Sequence, residues 1–389
     1  MADALMIKHN KAVKLRLYPT RPQKEYFSKV FGCTRKVYNL ALAECVENYK
    51  LNGKFTHQNY SAYYNDYPFL KDVEAQALSQ SLQDLNTAFK NRFSKTAKRQ
   101  TGFPRFKSKK NRQSYRTCMP SKTALGMKTI KIPKIGAVKF RAKPRVEEDW
   151  ELKSITISRT KSGKYYASLL YEFYREEPDV KLDLNNSIGL DYKSNGLFTD
   201  NQGNSPSYPR YYRRLESKLA REQRRLSHMV RGSANYEKQK TKIARVHEKI
   251  ANQRKDFMHK LSYNLAEKYD YIFIEDINLQ DISQHLNLGK STYDNSFGLF
   301  RTLLSYKMGD RGKVLHKIDK WYASSKTCSI CGSCHPEIVN SLAVRKWICP
   351  NCGSEHDRDI NAASNMRNKG ILEIKTVGTT GIACLCSSC

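Results

Sequence analysis

Apolar residues recur along this chain with a period of either two or about 3.6, and the changes of period divide it into elements. Val13 to Leu17 alternates apolar and basic residues, as a short half-buried strand does. Thr20-Arg-Pro-Gln23 then predicts a helix start, with a Thr cap, Pro in the first turn and Gln closing a capping box. Helical periodicity runs to about Lys50 and resumes at Glu74. There Leu78, Leu82, Leu85, Phe89 and Phe93 recur at three- and four-residue steps and predict one apolar face. That face puts Gln76, Gln80 and Gln83 together on the opposite side, either as ordinary solvated surface or as amides facing a nucleic-acid groove. Helical character stops at Thr101-Gly-Phe-Pro104, and Arg105 to Arg116 is basic with Phe106 and Tyr115 interleaved.

From about Thr129 to Phe173 the period is two. Lys153–Arg159 and Tyr165–Phe173 flank the turn Lys161-Ser-Gly-Lys164 and predict a hairpin. A strand, a helical insertion and further strands suggest a small β-barrel interrupted by a helical domain. A new domain opens near Asn186 with the short apolar strand Ser187-Ile-Gly-Leu-Asp191. Turns at Lys193-Ser-Asn-Gly196 and Asn201-Gln-Gly203 space out two further short strands. Tyr211–Met229 and Tyr236–Lys268 predict two long helices joined at Arg231-Gly-Ser233. The second carries a seam of Ile243, Val246, Ile250, Phe257, Leu261 and Leu265. This hairpin, roughly 50 Å long, fits a basic arm beside a catalytic core or a solvated coiled coil. Tyr271-Ile-Phe-Ile-Glu275 is a second buried strand ending in an acid, and Val314 to Tyr322 predicts another strand.

Charge narrows the function. Lys and Arg number 69 against 37 Asp and Glu, a formal net charge of +32 distributed along the whole chain. Such an excess points to a polyanionic partner, most directly nucleic-acid phosphates. A membrane surface is the competing polyanion, but no apolar run approaches the ~18 residues of a span, and no signal-peptide core follows Met1. Eleven cysteines without a secretory signal suggest a reducing compartment. Cys33, Cys45 and Cys118 read as buried small residues. Cys384, Cys386 and Cys389 end a Gly/Thr/Ser-rich tail expected to be disordered.

Two cysteine pairs carry the strongest local signal. Cys328-x-x-Cys331 and Cys349-x-x-Cys352, separated by residues 332–348, can close a tetrahedral thiolate zinc site, with Cys334 beside them as a spare ligand. The acidic run His356-Asp357-Arg358-Asp359 follows, ahead of a helix-compatible Asn-Ala-Ala. Three acids stand out by position: Asp191 and Glu275 end apolar strands, and Asp359 begins the last helical segment. One strand-end acid alone is as consistent with a solvated cap. Three in this order match an RNase H-like layout, in which strands and a closing helix gather carboxylates around two Mg²⁺ ions for in-line phosphodiester hydrolysis.

Ile188-Gly-Leu-Asp191, Phe273-Ile-Glu-Asp-Ile-Asn278, Ser324-Ser-Lys-Thr-Cys328 and Cys349 through Ala363 resemble the RuvC and zinc-ribbon motifs of TnpB, the RNA-guided nuclease family of insertion sequences, related to compact type V CRISPR effectors. The resemblance extends through Gly102-Phe-Pro-Arg-Phe-Lys107 to Arg16-Leu-Tyr-Pro19 and Arg35-Lys-Val-Tyr-Asn39. It implies an α/β multidomain chain. A β-barrel wedge domain is expected over 1–20 and 105–184, and a helical recognition domain over 21–104. A RuvC nuclease is expected over 185–323 and 354–373, a zinc-ribbon target-binding insert over 324–353, and a tail over 374–389. By motif, the catalytic and Mg²⁺-binding residues are Asp191, Glu275 and Asp359. The zinc ligands are Cys328, Cys331, Cys349 and Cys352. Gln76, Gln80, Gln83, Arg105 and Lys107 are the candidate nucleic-acid contacts. A guide RNA, one protein monomer per RNA, a double-stranded DNA target beside a short flanking motif, and a prokaryotic cytosolic, nucleoid-associated setting come from the resemblance alone.

Two other readings compete. A guided DNA-binding regulator that represses without cutting would be favoured by loss of an acid, and all three are present. An unguided RNase H-fold transposase would need an end-binding helix-turn-helix, which nothing in the sequence resembles.

Overall fold

The computed structural model describes residues 6–94, 101–118, 125–141, 146–176, 178, 180–279, 289–338 and 344–378. Two compact units divide the chain, Met1–Glu176 and Glu177–Cys389.

The first unit is an open, half-barrel sheet of six antiparallel strands with helices packed on it. β1 (Met6–Tyr18), β2 (Gln113–Thr117), β3 (Thr129–Ile132), β4 (Gly136–Phe140), β5 (Glu151–Arg159) and β6 (Tyr165–Glu176) lie in the order β2-β5-β6-β1-β4-β3. β1 is longer than its alternating stretch predicts. It pairs with β6 from Met6↔Glu176 to Leu17↔Tyr165, so ladder hydrogen bonds carry its polar N-terminal half. α1 (Arg21–Asn52) begins where Gln23 Oε1 accepts the Thr20 N–H at 3.0 Å and ends at Gly53, whose φ of +67° favours glycine. α2 (Ala75–Phe93) packs beside it. Leu15 and Leu17 of β1, Phe27 and Leu42 of α1, Leu78 and Leu85 of α2, and Ile155 and Leu169 of the sheet belong to one buried cluster. The helical insertion and the sheet therefore share a core. Cys33 and Cys45 are buried as expected, whereas Cys118 is only half-buried because it lies just past the end of β2.

The second unit is built on β7 (Ser187–Tyr192), β8 (Phe198–Asp200), β9 (Tyr271–Glu275) and β10 (Val314–Ile318), in the order β10-β9-β7-β8. β7, β9 and β10 run parallel, and β8 is antiparallel to β7. Between β8 and β9 stand α3 (Tyr211–Ser227) and α4 (Ala234–Lys268), joined through Gly232 at φ +86° and capped by Ser233, whose Oγ accepts the Tyr236 N–H. Leu219, Ile243, Val246 and Ile250 form the hairpin's own seam. α5 (Gly289–Asn295) and α6 (Phe297–Gly309) follow β9. β11 (Lys346–Ile348) and β12 (Glu355–Asp357) form a two-stranded ribbon, and α7 (Arg358–Gly378) closes the unit.

Three expectations are corrected here. The second short strand, beyond the Asn201–Gly203 turn, does not form. Pro206 and Pro209 remove two backbone donors from that stretch, which a strand needs for its ladder. The strand expected over Val314–Tyr322 ends at Ile318, where Asp319 turns the chain by accepting the Trp321 N–H at 2.7 Å. The last helix continues to Gly378, past the 374 boundary set for the tail. Cys384, Cys386 and Cys389 lie outside the described residues.

Strand alternation assigns the two faces of the second sheet. Ile188, Leu190, Ile272 and Ile274 share a buried cluster with Met258 of α4 and Phe297, Phe300 and Leu304 of α6. Phe273 and Ile318 cluster instead with Met366 of α7. Period two then puts Gly189, Asp191, Phe273 and Glu275 all on the α7 side.

Candidate active site and metal centre

β7 and β9 are paired in parallel with Leu190 opposite Ile274, so their next residues, Asp191 and Glu275, end neighbouring strands at the same edge. The third acid arrives on α7. Helix and strand touch directly: a Cβ at Gly189 would stand 2.0 Å from the Ala363 carbonyl oxygen, and one at Gly370 would stand 1.9 Å from the Phe273 ring. Two glycines, one on each element, thus let the helix lie against the sheet and set its height. Arg367 Nε donates to the Ser187 carbonyl (3.1 Å) and hydroxyl (3.0 Å), pinning the helix to the start of β7. At its first turn Asp357 Oδ1 accepts the backbone N–H groups of Asp359 (3.0 Å) and Ile360 (3.2 Å). That capping bond separates the two acids of the Asp-Arg-Asp run: Asp357 caps, and Asp359 faces the strand ends.

The electrostatics reflect the convergence. Burial, then the neighbouring charges of Asp359 and Glu275, push the Asp191 carboxyl well above the usual carboxylate range, opposed by Arg358 and Lys193. Burial raises Glu275 to about 7. Asp359 is held by two cations, Lys193 Nζ at 3.3 Å from Oδ2 and Arg345 Nη1 at 3.2 Å from Oδ1. Carboxylate oxygens suit a hard divalent cation such as Mg²⁺, and here Lys193, Arg345 and Arg358 balance the charge of the three acids.

Beside it lies a sulfur site. The ligand atoms of Cys328, Cys331, Cys349 and Cys352 all lie within 4.8 Å of one another, and among the described residues this is the one such group of three or more His, Cys, Asp and Glu. The Cys328–Cys352 and Cys331–Cys349 Sγ separations are 3.7 and 3.6 Å. A tetrahedron with Zn–S bonds of about 2.3 Å has edges of about 3.8 Å, whereas a disulfide would need about 2.05 Å. The two knuckles repeat one pattern. Gly332 N–H donates to Cys328 O, and Cys328 N–H to Ser333 O. Gly353 N–H donates to Cys349 O, and Cys349 N–H to Ser354 O. Gly332 and Gly353 take φ of +77° and +70°, which favours glycine after each second cysteine. Hydrogen bonds from Ser333, above all, and from Asn351 lower the Cys331 thiol to about 5, whereas burial pushes the Cys349 thiol up to about 11.

Cys334 stands outside this group. Two histidines approach it instead, His356 Nε2 at 3.1 Å from Cys328 Sγ and His335 Nε2 at 3.5 Å from Cys349 Sγ.

The two sites are tied together by Asn361 and Asn365, to which the sequence pattern assigns no role. Asn361 Nδ2 donates to the Thr327 carbonyl (2.7 Å) while its Oδ1 accepts the Ser329 N–H (2.9 Å). Asn365 Nδ2 donates to the carbonyls of Ser324 (2.7 Å) and Thr327 (2.6 Å). Both asparagines are buried. One helical turn apart, they clamp α7 to the segment leading into the first knuckle. The available signal is three amides, Asn361, Asn365 and Asn368, at i, i+4 and i+7 on one helix face.

In the first unit the candidate nucleic-acid residues separate. Gln76 and Gln83 are exposed, but Gln80 is only 8% exposed and donates to Gln83 Oε1 at 2.9 Å. α2 buries a wider face than its leucines imply, because Ala77 and Ser81 also pack inward and Ser81 Oγ bonds the Thr34 carbonyl of α1. Gln80 falls at the edge of that widened face, so the three amides do not share one open surface. Phe93, counted with the apolar face, is 54% exposed and stacks on Phe55 at 5.3 Å. Arg105 is exposed. Lys107 lies with Nζ 3.7 Å from the Tyr38 ring centroid, and its backbone N–H and carbonyl both bond the Asn39 side chain, at 2.8 and 2.9 Å. Two motifs far apart in sequence therefore meet in a single contact.

Comparison with known proteins places the chain. It is 33% identical over 375 residues to a Streptomyces pristinaespiralis protein named "Putative RNA-guided DNA endonuclease", covering 94% of this chain and 91% of that one. The chain belongs to the TnpB-type RNA-guided DNA endonuclease family. InsQ of Escherichia coli K12, named in the same terms, is 30% identical, covering 94% of this chain and 93% of its own. Family models match in three stretches: "Helix-turn-helix domain" over 6–54, "Probable transposase" over 168–285 and "Cas12f1-like, TNB domain" over 297–366. The first match runs against the expectation that no helix-turn-helix resemblance exists, although residues 6–54 fold here as one strand and one long helix. A solved complex of Cas12f1 with sgRNA and target DNA aligns over 93% of this chain and 99% of that one, at 15% identity and a TM-score of 0.48. No helix among the described residues of this TnpB-family chain is long and apolar enough to cross a membrane.

Proposed function

We propose that this chain is a TnpB-type, RNA-guided, Mg²⁺-dependent DNA endonuclease that cuts double-stranded DNA beside a short flanking motif. The observation that carries the reading is the meeting of Asp191, Glu275 and Asp359 at one sheet edge, where each of the other two raises the Asp191 carboxyl. The parallel β10-β9-β7 arrangement with antiparallel β8 supports an RNase H-like, RuvC nuclease. The proposed domain limits are those of the sequence reading, with the nuclease helix extended to Gly378. The relatives' names supply the guide RNA and DNA target, and a charge of +32 suits both. A cytosolic, nucleoid-bound monomer on one RNA is part of the same proposal.

Two Mg²⁺ ions held by the three carboxylates would activate water and neutralise charge on the phosphate. Asp191 and Glu275 present oxygens from rigid strand ends, and Asp359 from a capped helix turn, so little reorganisation is needed. Lys193 and Arg345 already stand at Asp359 and would meet the phosphate's negative charge. Zinc at the four cysteines would hold the ribbon whose following strand leads into Asp359. Arg105, Lys107, Gln76 and Gln83 are proposed as nucleic-acid contacts, with Gln80 positioning Gln83. The test is to sequence the RNA that co-purifies with the chain and to assay cleavage of matched DNA. Asp191→Ala, Glu275→Ala and Asp359→Ala should each abolish cutting while target binding persists, and a variant cutting within about tenfold of wild type would remove its residue from the site.

A further inference from the structure

Of the chain's three tryptophans, Trp150 and Trp347 are buried and Trp321 is 82% exposed. Trp321 is the most exposed large apolar side chain among the described residues, and exposed aromatic rings are the platforms on which unpaired bases stack. The ring is not on a loose loop. Ile318, three residues earlier, pairs with Glu275 across β9 and β10, and its carbonyl accepts the Asp276 N–H at 2.9 Å. Asp319 Oδ1 then fixes the Trp321 N–H at 2.7 Å. Three residues later, the Ser324 carbonyl is held by Asn365, on the same helix as Asp359. Both ends of this short segment are therefore fixed to the elements that carry the acids, and Trp321 lies within about 10 Å of chain from the residue paired with Glu275. Lys320 Nζ lies 4.9 Å from the indole centroid, and Lys317 and Lys320 are both exposed.

A largely exposed indole with the Lys320 ammonium over one of its faces is the chemistry that receives an unpaired nucleobase and its phosphate. A base inside a duplex has no free face to offer it. We propose that Trp321 stacks on an unpaired base of the DNA strand presented to the Asp191–Glu275–Asp359 edge and thereby positions that strand. The inference rests on the nuclease reading for its substrate. Trp321 is a positioning residue: it touches the strand and takes no part in bond making.

The experiment uses the full chain with its co-purifying RNA and matched DNA containing a pre-opened bubble, into which single abasic sites are placed one position at a time. One abasic position should slow wild type about tenfold. Trp321→Ala should slow the intact substrate equally, lose nothing further at that position, and melt at the wild-type temperature, while Trp321→Phe retains most of the rate. A wild-type rate for Trp321→Ala, or abasic and Ala losses that multiply at every position, would overturn the proposal. Should wild type not cut at all, the nuclease reading fails separately. Stacking is then decided by fluorescence in metal-free buffer with single-stranded oligothymidine: quenching lost in Trp321→Phe supports it, and equal quenching in both proteins overturns it.

Discussion

Gly189 and Ala363 meet so closely that a single methyl group cannot be placed between them: the Cβ of any other residue at 189 would lie 2.0 Å from the Ala363 carbonyl oxygen. Because the obstacle is backbone, relief requires moving α7 off the sheet, and Asp359 rides on that helix. Gly189→Ala should lower stability by about 1–3 kcal/mol and reduce cleavage by more than about 100-fold. Thermal melting and single-turnover rates check this together, and an unchanged melt with full activity would contradict the packing argument.

Glu275 gives a pH-dependent prediction. Its folded-state carboxyl is raised by burial from an ordinary value of 4.5 to about 7. Below 4.5 both folded and unfolded states are protonated and the group is neutral in its effect. Between 4.5 and 7 the unfolded state ionises first, so metal-free stability falls as pH rises and then levels off. Glu275→Gln should therefore stabilise the metal-free protein by about 1–3 kcal/mol at pH 8 and by nothing at pH 4. Melting temperatures at the two pH values decide it. The same protonation should make the Mg²⁺ requirement steeper at pH 6 than at pH 8.

Cys328→Ser or Cys349→Ser should lower bound zinc and loosen the ribbon adjoining Asp359, since thiolate zinc sites contribute folding energy directly. Elemental mass spectrometry of the purified variants measures the metal. A full complement in both would refute the four-cysteine site.

Asn361→Ala should cost about 1–3 kcal/mol, because it leaves the Ser329 N–H without its acceptor, and Asn365→Ala should cost less, because Asn361 Nδ2 still reaches the Ser324 and Thr327 carbonyls. Zinc content should stay at the wild-type level, which separates loss of the clamp from loss of the knuckle. Loss of zinc in either variant would show that the knuckle depends on the clamp.

Glu222 anchors the helical hairpin at neutral pH and loses that role in acid. Hydrogen bonds from Gln239 and then Lys242 lower its carboxyl to about 2 from an ordinary 4.5. A lowered carboxyl contributes stability above the unfolded value and loses it as pH falls from about 4.5 to 2. Glu222→Gln should flatten the acid melting profile over that window relative to wild type, as followed by helical circular dichroism.

What the sequence determined alone was whatever depends on near neighbours. Period two and period 3.6 located β7, β9, α2, α3 and α4, since burial alternates with the local geometry of strand and helix. Cys-x-x-Cys spacing marked the sulfur site because a knuckle closes within a few residues. Strand-end position singled out Asp191 and Glu275, and the family motif selected Asp359 over Asp357. Tertiary structure decided the contacts between distant segments. Only the packing of α7 makes Gly189 and Gly370 obligatory and turns Asn361 and Asn365 into a clamp. Only folding brings Lys193 and Arg345 to Asp359, and only the docking of α2 on α1 through Ser81 withdraws Gln80 from the open face. Periodicity records how a side chain faces its own element, whereas these partners are set by side-chain shape and charge across more than a dozen to nearly two hundred residues, which no local pattern encodes.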